Sequence, residues 1–429
     1  MYKIYVEKFG GASVNSALAV ENVANILKGE IKKQEHNAKR VIVISAMGKT
    51  TNMLETLVNS WYYDKVFDEK IFDKILEFHY DIIEKLFKDY AQNCLGKINL
   101  LFNEIKNKLL HASSSDYNFV YDQIVSFGER ISTNIVSEYL NHSGLKNKLV
   151  SALDIVKTDN NYRDANVDWK STKTAVEEGL LPIMEYYDIV ITQGFIGGTK
   201  ENLTTTLSRE GSDYSAAIIS YSLKAENMTI WKDVPGLLNA DPKRIENTTK
   251  LLRVPYKEAI ELSYYGATII HPKTIKPLEN LSIPLYIKSF IDPEQEPTVI
   301  CSDKELFPIV PNYIFKDNQL LLSISPKDFS FIAERNIAYI FEILAKHNVK
   351  VNLMQNSAIS FSVCIDENLK TLPLLLEELS QWYKVRYNTS LQLVTIRHYN
   401  KQAIDNILKG RQSIIEQKNR TTVQFLINM

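Results

Sequence analysis

The chain is short of several things, and each shortage excludes a class of protein. It has only three cysteines in 429 residues (Cys94, Cys301, Cys364), far apart and without metal-ligand spacing. That excludes a disulfide scaffold or zinc ribbon and suits a reducing cytoplasm. No apolar run approaches the ~20 residues that span a bilayer. The start, Met1-Tyr-Lys-Ile-Tyr-Val, lacks the apolar core of a cleavable leader. Net charge is −1, so no bulk field draws the chain to nucleic acid or an anionic membrane. What remains is an ordinary globular composition, 45% apolar and 24% charged. The chain is long enough for roughly two or three domains and is expected in the cytoplasm.

Strand, glycine-bearing turn and helix recur along the first two thirds. Tyr2 to Phe9 reads as a strand, ends in Lys8-Phe-Gly-Gly-Ala-Ser-Val14, and leads to a helix from Ala17 to Leu27. The lysine precedes the glycines, which excludes a Walker A loop, and GxGxxG is absent. Lys8 with Gly10 and Gly11 is placed to meet a phosphoryl group; a tight turn with a solvated lysine is the plainer reading. Arg40 to Ser45 is an unbroken apolar strand running into Ala46-Met-Gly-Lys-Thr-Thr-Asn52, a second loop at a strand's C-terminal end. Met53 to His111 has helical periodicity, and its aromatic stripe and lone His79 read as core. Phe119 to Leu140 reads as one helix, interrupted by Gly128 beside Glu129.

Asp188 to Thr192 is a further buried strand, before Gln193-Gly-Phe-Ile-Gly-Gly198. The polar run Thr204 to Ala217 follows, with Arg209, Ser212 and Asp213 close together ahead of an apolar segment. A helix N-terminus attracts anions and Arg209 offers a bidentate partner; a capped surface helix explains the same run. Thr229 to Trp231 is a strand end before Lys232-Asp-Val-Pro-Gly236 and Asn239-Ala-Asp-Pro-Lys243, a loop shaped for a base and ribose. Ile283 to Lys288 reads as the last buried strand, and the proline-rich 292–311 as the domain boundary. Beyond it come a βαββα pattern and a second, shorter βαββ pattern that stops without a final helix.

In their order, these motifs resemble aspartate kinase, of the amino-acid kinase superfamily, over nearly the whole chain. Further marks are Glu261-Leu-Ser-Tyr-Tyr-Gly-Ala267 and Ile270-His-Pro272. The resemblance implies a three-layer αβα kinase domain with a mainly parallel sheet (1–297), then two ferredoxin-like ACT units (312–389 and a truncated 390–429). It implies phosphoryl transfer from MgATP to the side-chain carboxylate of L-aspartate, with magnesium held through phosphates and no protein metal ligand. By resemblance Lys8 and Asp213 are catalytic. Ser45, Thr51, Val125, Glu129, Phe195, Arg209, Gly211 and Ser212 are expected around aspartate. Lys8, Gly10, Gly11, Ser13, Lys232, Asp233, Leu238, Asp241, Pro242, Lys243, Thr268 and Ile269 are expected around ATP.

Ile337, Lys350, Val351, Asn352, Asn356 and Ser357 would form an effector site for lysine or threonine, and the ACT units would pair two chains into a homodimer. Asn352 and Ala358 stand where lysine-inhibited members often place acids, which implies weak, altered or absent lysine inhibition. Ser208 and Glu210 flank Arg209 where the family usually has glycine at the first and often at the second. Glu210 is expected to point to solvent rather than pair with Arg209. Two rivals stand beside this reading: a kinase of glutamate or acetylglutamate, and a catalytically retired amino-acid sensor.

Overall fold

The structure, a computed structural model, describes residues 2–33, 37–111, 116–267, 270–328 and 330–429. The chain forms two compact units: Met1–Leu237 with Lys250–Ile260 and Thr268–Pro308, and Leu238–Thr249 with Glu261–Ala267 and Ile309–Met429.

The first unit is built on an eight-stranded sheet. Its strand order is Arg253–Pro255, Thr298–Cys301, Leu285–Ser289, Asn227–Lys232, Lys3–Phe9, Ala38–Ile44, Ile189–Gln193 and Asn147–Leu149. All neighbours run parallel except Leu285–Ser289 with Thr298–Cys301. In Ala38–Ile44 every residue after Ala38 is buried, as a strand covered on both faces requires. The helix Ala17–Lys32 starts where Ser16 Oγ accepts from Ala19 N at 3.2 Å, and it buries Val20, Val23, Ala24 and Leu27.

The helical pattern from 53 to 111 is helix as expected, divided among three α-helices, Thr50–Asn59, Glu69–Phe87 and Ala91–Leu110. Other expectations need correction. The single helix from 119 to 140 is two, Tyr117–Val125 and Phe127–His142, broken at Ser126. The proline-rich segment holds the strand Thr298–Cys301, and the first unit continues to Pro308 rather than ending at 297. The strand is only four residues long and begins directly after Pro297, so the prolines around it hid it.

The second unit carries a six-stranded antiparallel sheet. Its order is Val351–Asn356, Phe361–Asp366, Asn312–Pro326, Tyr383–Arg397, Thr422–Asn428 and Ser413–Lys418. Each central strand is 15 residues long and has a left-handed residue near its middle, Asn318 or Ser390. The register slips there. Residues 319–326 pair with 383–391 and complete a βαββαβ unit with the helices Glu334–Lys346 and Leu372–Trp382. Residues 312–316 pair instead with 393–397, beside the helix Lys401–Leu408 and the last two strands.

The expected second ACT unit therefore has one helix, as its sequence implied, but it is not confined to 390–429. Its fourth strand is 312–316, which precedes the first ACT unit's own strand 319–326 in the chain. The reason is backbone satisfaction: 393–397 would otherwise leave a row of unpaired N–H and C=O groups. Leu320, Leu322 and Ile324 pack with the helices Glu334–Lys346 and Leu372–Trp382, while Leu321, between them, packs on the opposite face with Leu391 and Leu426.

Candidate active site

Four neighbouring strands of the first unit end at one rim: Asn227–Lys232, Lys3–Phe9, Ala38–Ile44 and Ile189–Gln193. Lys8, Ser45, Phe195 and Lys232 therefore arrive at the carboxyl edge of a parallel sheet, where open α/β folds bind ligands. The turn after the first strand is drawn onto the turn after the second. Ser45 N donates to Phe9 O at 3.2 Å and Gly48 N to Gly11 O at 3.0 Å. A Cβ on Gly11 would stand 2.8 Å from Ala46 O, so the contact needs glycine.

A cavity of about 690 Å³ opens at this rim, and all of its lining belongs to the first unit. At one end the Lys8 ammonium lies 2.6 Å from Asp213 Oδ1. The contact is an ion pair rather than an aligned hydrogen bond, since Oδ1 has no hydrogen-bond partner. Lys232 Nζ is 4.0 Å from Asp213 Oδ2. Asp213 lies in the first turn of the helix Gly211–Leu223, whose N-terminal dipole favours anions nearby.

At another part of the wall stands Glu129. A Cβ at Gly128 would be 2.9 Å from Ala46 Cβ, so glycine lets the helix Phe127–His142 close on the loop after the second strand. Ala46 N then donates to Glu129 Oε1 at 3.3 Å, while the buried Oε2 has no hydrogen-bond partner. Burial pushes the Glu129 carboxyl up to about 8, against the pull of the Ala46 N–H. An unsatisfied buried carboxyl oxygen facing a cavity is suited to an incoming cation.

The structure brings Lys8, Gly11, Ser45, Thr51, Glu129, Phe195, Arg209, Gly211, Ser212, Asp213 and Lys232 to this one cavity. Gly10 caps the short helix Gly11–Val14, which holds Ser13 buried behind the lining. Val125 is fully buried and does not line the cavity, and neither does the exposed Asp233. Leu238, Asp241, Pro242 and Lys243 lie in Leu238–Thr249, part of the second unit, where Lys243 N donates to Asp241 Oδ1 at 2.9 Å. Thr268 and Ile269 lie outside the described residues. Tyr121, Arg163, Glu55, Asn52 and Thr206 also line the cavity and were missed. Asn52 and Thr206 lie in runs already marked, the glycine-bearing loop 46–52 and the polar run 204–217, whereas nothing marks Glu55, Tyr121 or Arg163, each ordinary in its own helix or polar loop.

The loop before Gly211 resolves the question of Ser208 and Glu210. Both adopt left-handed backbone, φ 61° and 56°. Among the described residues no ion pair joins Arg209 to Glu210. The expectation that Glu210 points to solvent needs correction, because Oε2 is buried without a hydrogen-bond partner. The left-handed backbone turns the carboxyl inward, beside the helix N-terminus. Left-handed backbone at a non-glycine residue costs about 1–2 kcal/mol. Glu210→Gly is therefore expected to raise stability by about 0.5–1.5 kcal/mol, read as a higher urea midpoint at unchanged slope.

In the second unit, Asn352 is held in an internal knot. Lys316 Nζ donates to its Oδ1 at 2.8 Å, and its Nδ2 lies 2.8 Å from both Gln319 Oε1 and Asp366 Oδ1. Ile337 packs on the helix-side core, Val351 is half-buried, and Lys350, Asn356 and Ser357 are exposed.

Comparison with known proteins agrees with this geometry. A profile of the amino acid kinase family matches residues 3–289. Lysine-sensitive aspartokinase 3 of Escherichia coli (strain K12) is 30% identical over 405 residues, covering 92% of this chain and 87% of that one. The structure of E. coli aspartokinase III in complex with lysine and aspartate (T-state) matches at TM-score 0.82 and 28% identity, covering 99% of this chain and 96% of that chain. Its complex with aspartate and ADP (R-state) matches at 0.82 and 27%, with the same coverage. The chain belongs to the amino acid kinase family. Within that family it is an aspartokinase, phosphorylating aspartate with ATP.

Proposed function

We propose that the cavity at the sheet's carboxyl rim binds aspartate against the γ-phosphate of ATP, with the roles divided as follows. Glu129 receives the α-ammonium. Lys8 neutralises the transferring phosphoryl group between two anions, and Asp213 holds Lys8 in place. Ser45, Thr51, Phe195 and Ser212 shape the amino-acid pocket, and Arg209 meets carboxylate charge. The side-chain carboxylate is already a nucleophile at pH 7, so the protein's task is positioning and charge neutralisation. The observation that carries this reading is the pairing within one cavity of a buried, unsatisfied Glu129 with the Lys8–Asp213 ion pair.

Magnesium would be held by phosphate oxygens and water. Among the described residues no group of three His, Cys, Asp or Glu is placed to hold a metal, and Asp213 is already engaged by Lys8. When bound, the ion would offset phosphate charge. The test is a hydroxamate assay for acyl phosphate, run with aspartate, glutamate and N-acetylglutamate. Product from aspartate alone supports the assignment of the pocket, whereas equal product from glutamate overturns it.

Glu129 makes the reaction pH-dependent. Below about pH 8 its carboxyl in the empty cavity is protonated, so binding an ammonium must release that proton. The KM for aspartate is expected to fall as pH rises from 6 to about 8, by up to about tenfold per unit, and then to level off. Glu129→Gln flattens that profile and raises KM about 10- to 100-fold. A KM independent of pH in the unmodified enzyme would count against the role.

The second unit is proposed as an amino-acid effector domain, with Ile337, Lys350, Val351, Asn352, Asn356 and Ser357 around the ligand. The E. coli relative is named lysine-sensitive. Here position 352 offers an amide already tied to Lys316, Gln319 and Asp366. Lysine would thus lack a charge-assisted bond, and half-inhibition is expected about tenfold or more above that of an enzyme with an acid there. Titration with lysine, threonine and both checks this; strong inhibition by lysine alone at low concentration refutes it. Edge strands Val351–Asn356 and Ser413–Lys418 each have one neighbour in the sheet, which suits pairing with a second chain as a homodimer.

A further inference from the structure

The loop 207–210 carries Arg209 to the cavity, and two of its residues, Ser208 and Glu210, have left-handed backbone. Where such a loop stands is set by the segments at its two ends. It leaves the strand Thr204–Thr206, which pairs with the strand Ile196–Gly198 alone. A two-stranded ribbon is marginally stable by itself. We propose that Asp122, which does not line the cavity, is a positioning residue for the reaction: it fixes the end of this strand and so holds Arg209 where aspartate binds. The proposal rests on the reading that Arg209 meets carboxylate charge in this cavity.

Three observations carry it. The first is how the ribbon's open edge is closed. Thr204 N donates to Gln123 Oε1 at 3.4 Å, and Gln123 Nε2 donates to Thr204 O at 2.7 Å. Two residues on, Thr206 N donates to Asp122 Oδ2 at 2.9 Å and Thr206 Oγ1 to Asp122 Oδ1 at 2.7 Å. Alternate residues of a strand present their N–H groups to the same edge, and there two adjacent side chains of the helix Tyr117–Val125 stand in for a third strand. The second is the reach of the one carboxylate. Oδ2 also accepts from Arg163 N at 2.9 Å, and Ala165 N of the same turn donates to Thr206 O at 3.0 Å. Thr206 is thereby bonded at its N–H, its C=O and its hydroxyl, directly before the loop begins.

The third is burial. Asp122 and Thr206 are both 0% exposed, so water does not replace these bonds, and loss of the acceptor strands two backbone N–H groups. Burial pushes the Asp122 carboxyl up to about 6, against the pull of its three donors, which leaves it ionised at pH 7. Hydrogen bonds to an ionised acceptor are roughly twice as strong as neutral ones. The far end of the loop is held separately. Ser215 Oγ donates to Gly211 O at 3.0 Å and accepts from Phe195 N at 2.9 Å. Loss of Asp122 therefore frees one end of the loop while the other stays fixed, which shifts Arg209 without unmaking the cavity. A displacement of about 1 Å in a positioned group costs up to about 100-fold.

The test is a double-mutant cycle between Asp122 and Arg209, read on KM and kcat with aspartate and ATP. Asp122→Ala is expected to raise KM for aspartate about 10- to 100-fold, with kcat and KM for ATP within about threefold. Asp122→Asn keeps an acceptor oxygen in place and should raise it only about three- to fivefold. In an Arg209→Ala background, Asp122→Ala should change KM for aspartate less than about threefold, because the carboxylate acts through Arg209. If Asp122→Ala does not fold, Asp122→Asn takes its place, and its rise in KM should vanish in the Arg209→Ala background. Losses that multiply in the double variant show a structural role alone and overturn the proposal, as does an unchanged KM when Asp122 is replaced. If Arg209→Ala by itself leaves KM for aspartate unchanged, the reading of the cavity fails, and the proposal with it.

Discussion

Lys8→Ala is expected to cut acyl-phosphate formation about 100- to 1,000-fold while leaving KM for aspartate within about threefold. The split follows from where the charge develops. In the ground state Lys8 is already paired with Asp213 at 2.6 Å, so it contributes little to holding aspartate. As the phosphoryl group moves between two anionic oxygens, a fixed and largely buried ammonium becomes worth more. Lys8 has an 11% exposed side chain and Asp213 a 4% exposed one, so the field is only weakly screened. Removing Lys8 also leaves Asp213 as a buried carboxylate beside the phosphate, which adds repulsion. The hydroxamate assay at saturating ATP gives both constants. A variant that loses affinity but keeps kcat would show that Lys8 binds substrate and does not stabilise the transition state.

The second large effect is on stability. Glu7 precedes Lys8 on the same strand, so its side chain points to the opposite face of the sheet. There it pairs with Arg40, and both side chains are 3% exposed. Glu7 Oε2 also accepts from Trp231 Nε1 at 2.9 Å, and Arg40 Nη2 donates to Glu30 O at 3.0 Å. Breaking a buried pair strands the remaining charge, and Arg40→Met is expected to cost about 3–5 kcal/mol in urea unfolding. Glu7→Gln keeps an acceptor for Trp231 and removes the charge. The double variant should therefore recover about half of that loss, and the cycle measures the coupling. If Arg40→Met costs under about 1 kcal/mol, the pair is not a fastener of the central strands.

Much of the site was legible because strand-end loops write chemistry into short runs. Lys8, Ser45, Glu129, Phe195, Arg209, Ser212 and Asp213 come from separate segments, yet each sits in a glycine-marked or hydroxyl-rich motif, and the cavity holds them all. Arg163 and Tyr121 were invisible for a physical reason. One sits in a polar loop and the other on an ordinary helix face, and only packing brings them together. Val125 was expected beside aspartate but is fully buried, because the helix break at Ser126 hands the cavity wall to Glu129 instead.

The sequence by itself determined the parallel sheet, the order of its loops, and the lysine, glutamate and arginine that line one cavity at its rim. Those are local properties, set by apolar runs and by glycines where chains approach closely. Tertiary structure alone decided three other matters. It joined 312–316 to a unit that the sequence starts 74 residues later, at 390, because an unpaired strand edge takes its partner from wherever the chain supplies one. It raised the Glu129 carboxyl to about 8, which needs a buried wall and not merely a glutamate. It also turned Ser208 and Glu210 into strained residues and buried the Glu210 carboxyl, since φ is set by the two ends of a loop and cannot be read from its letters.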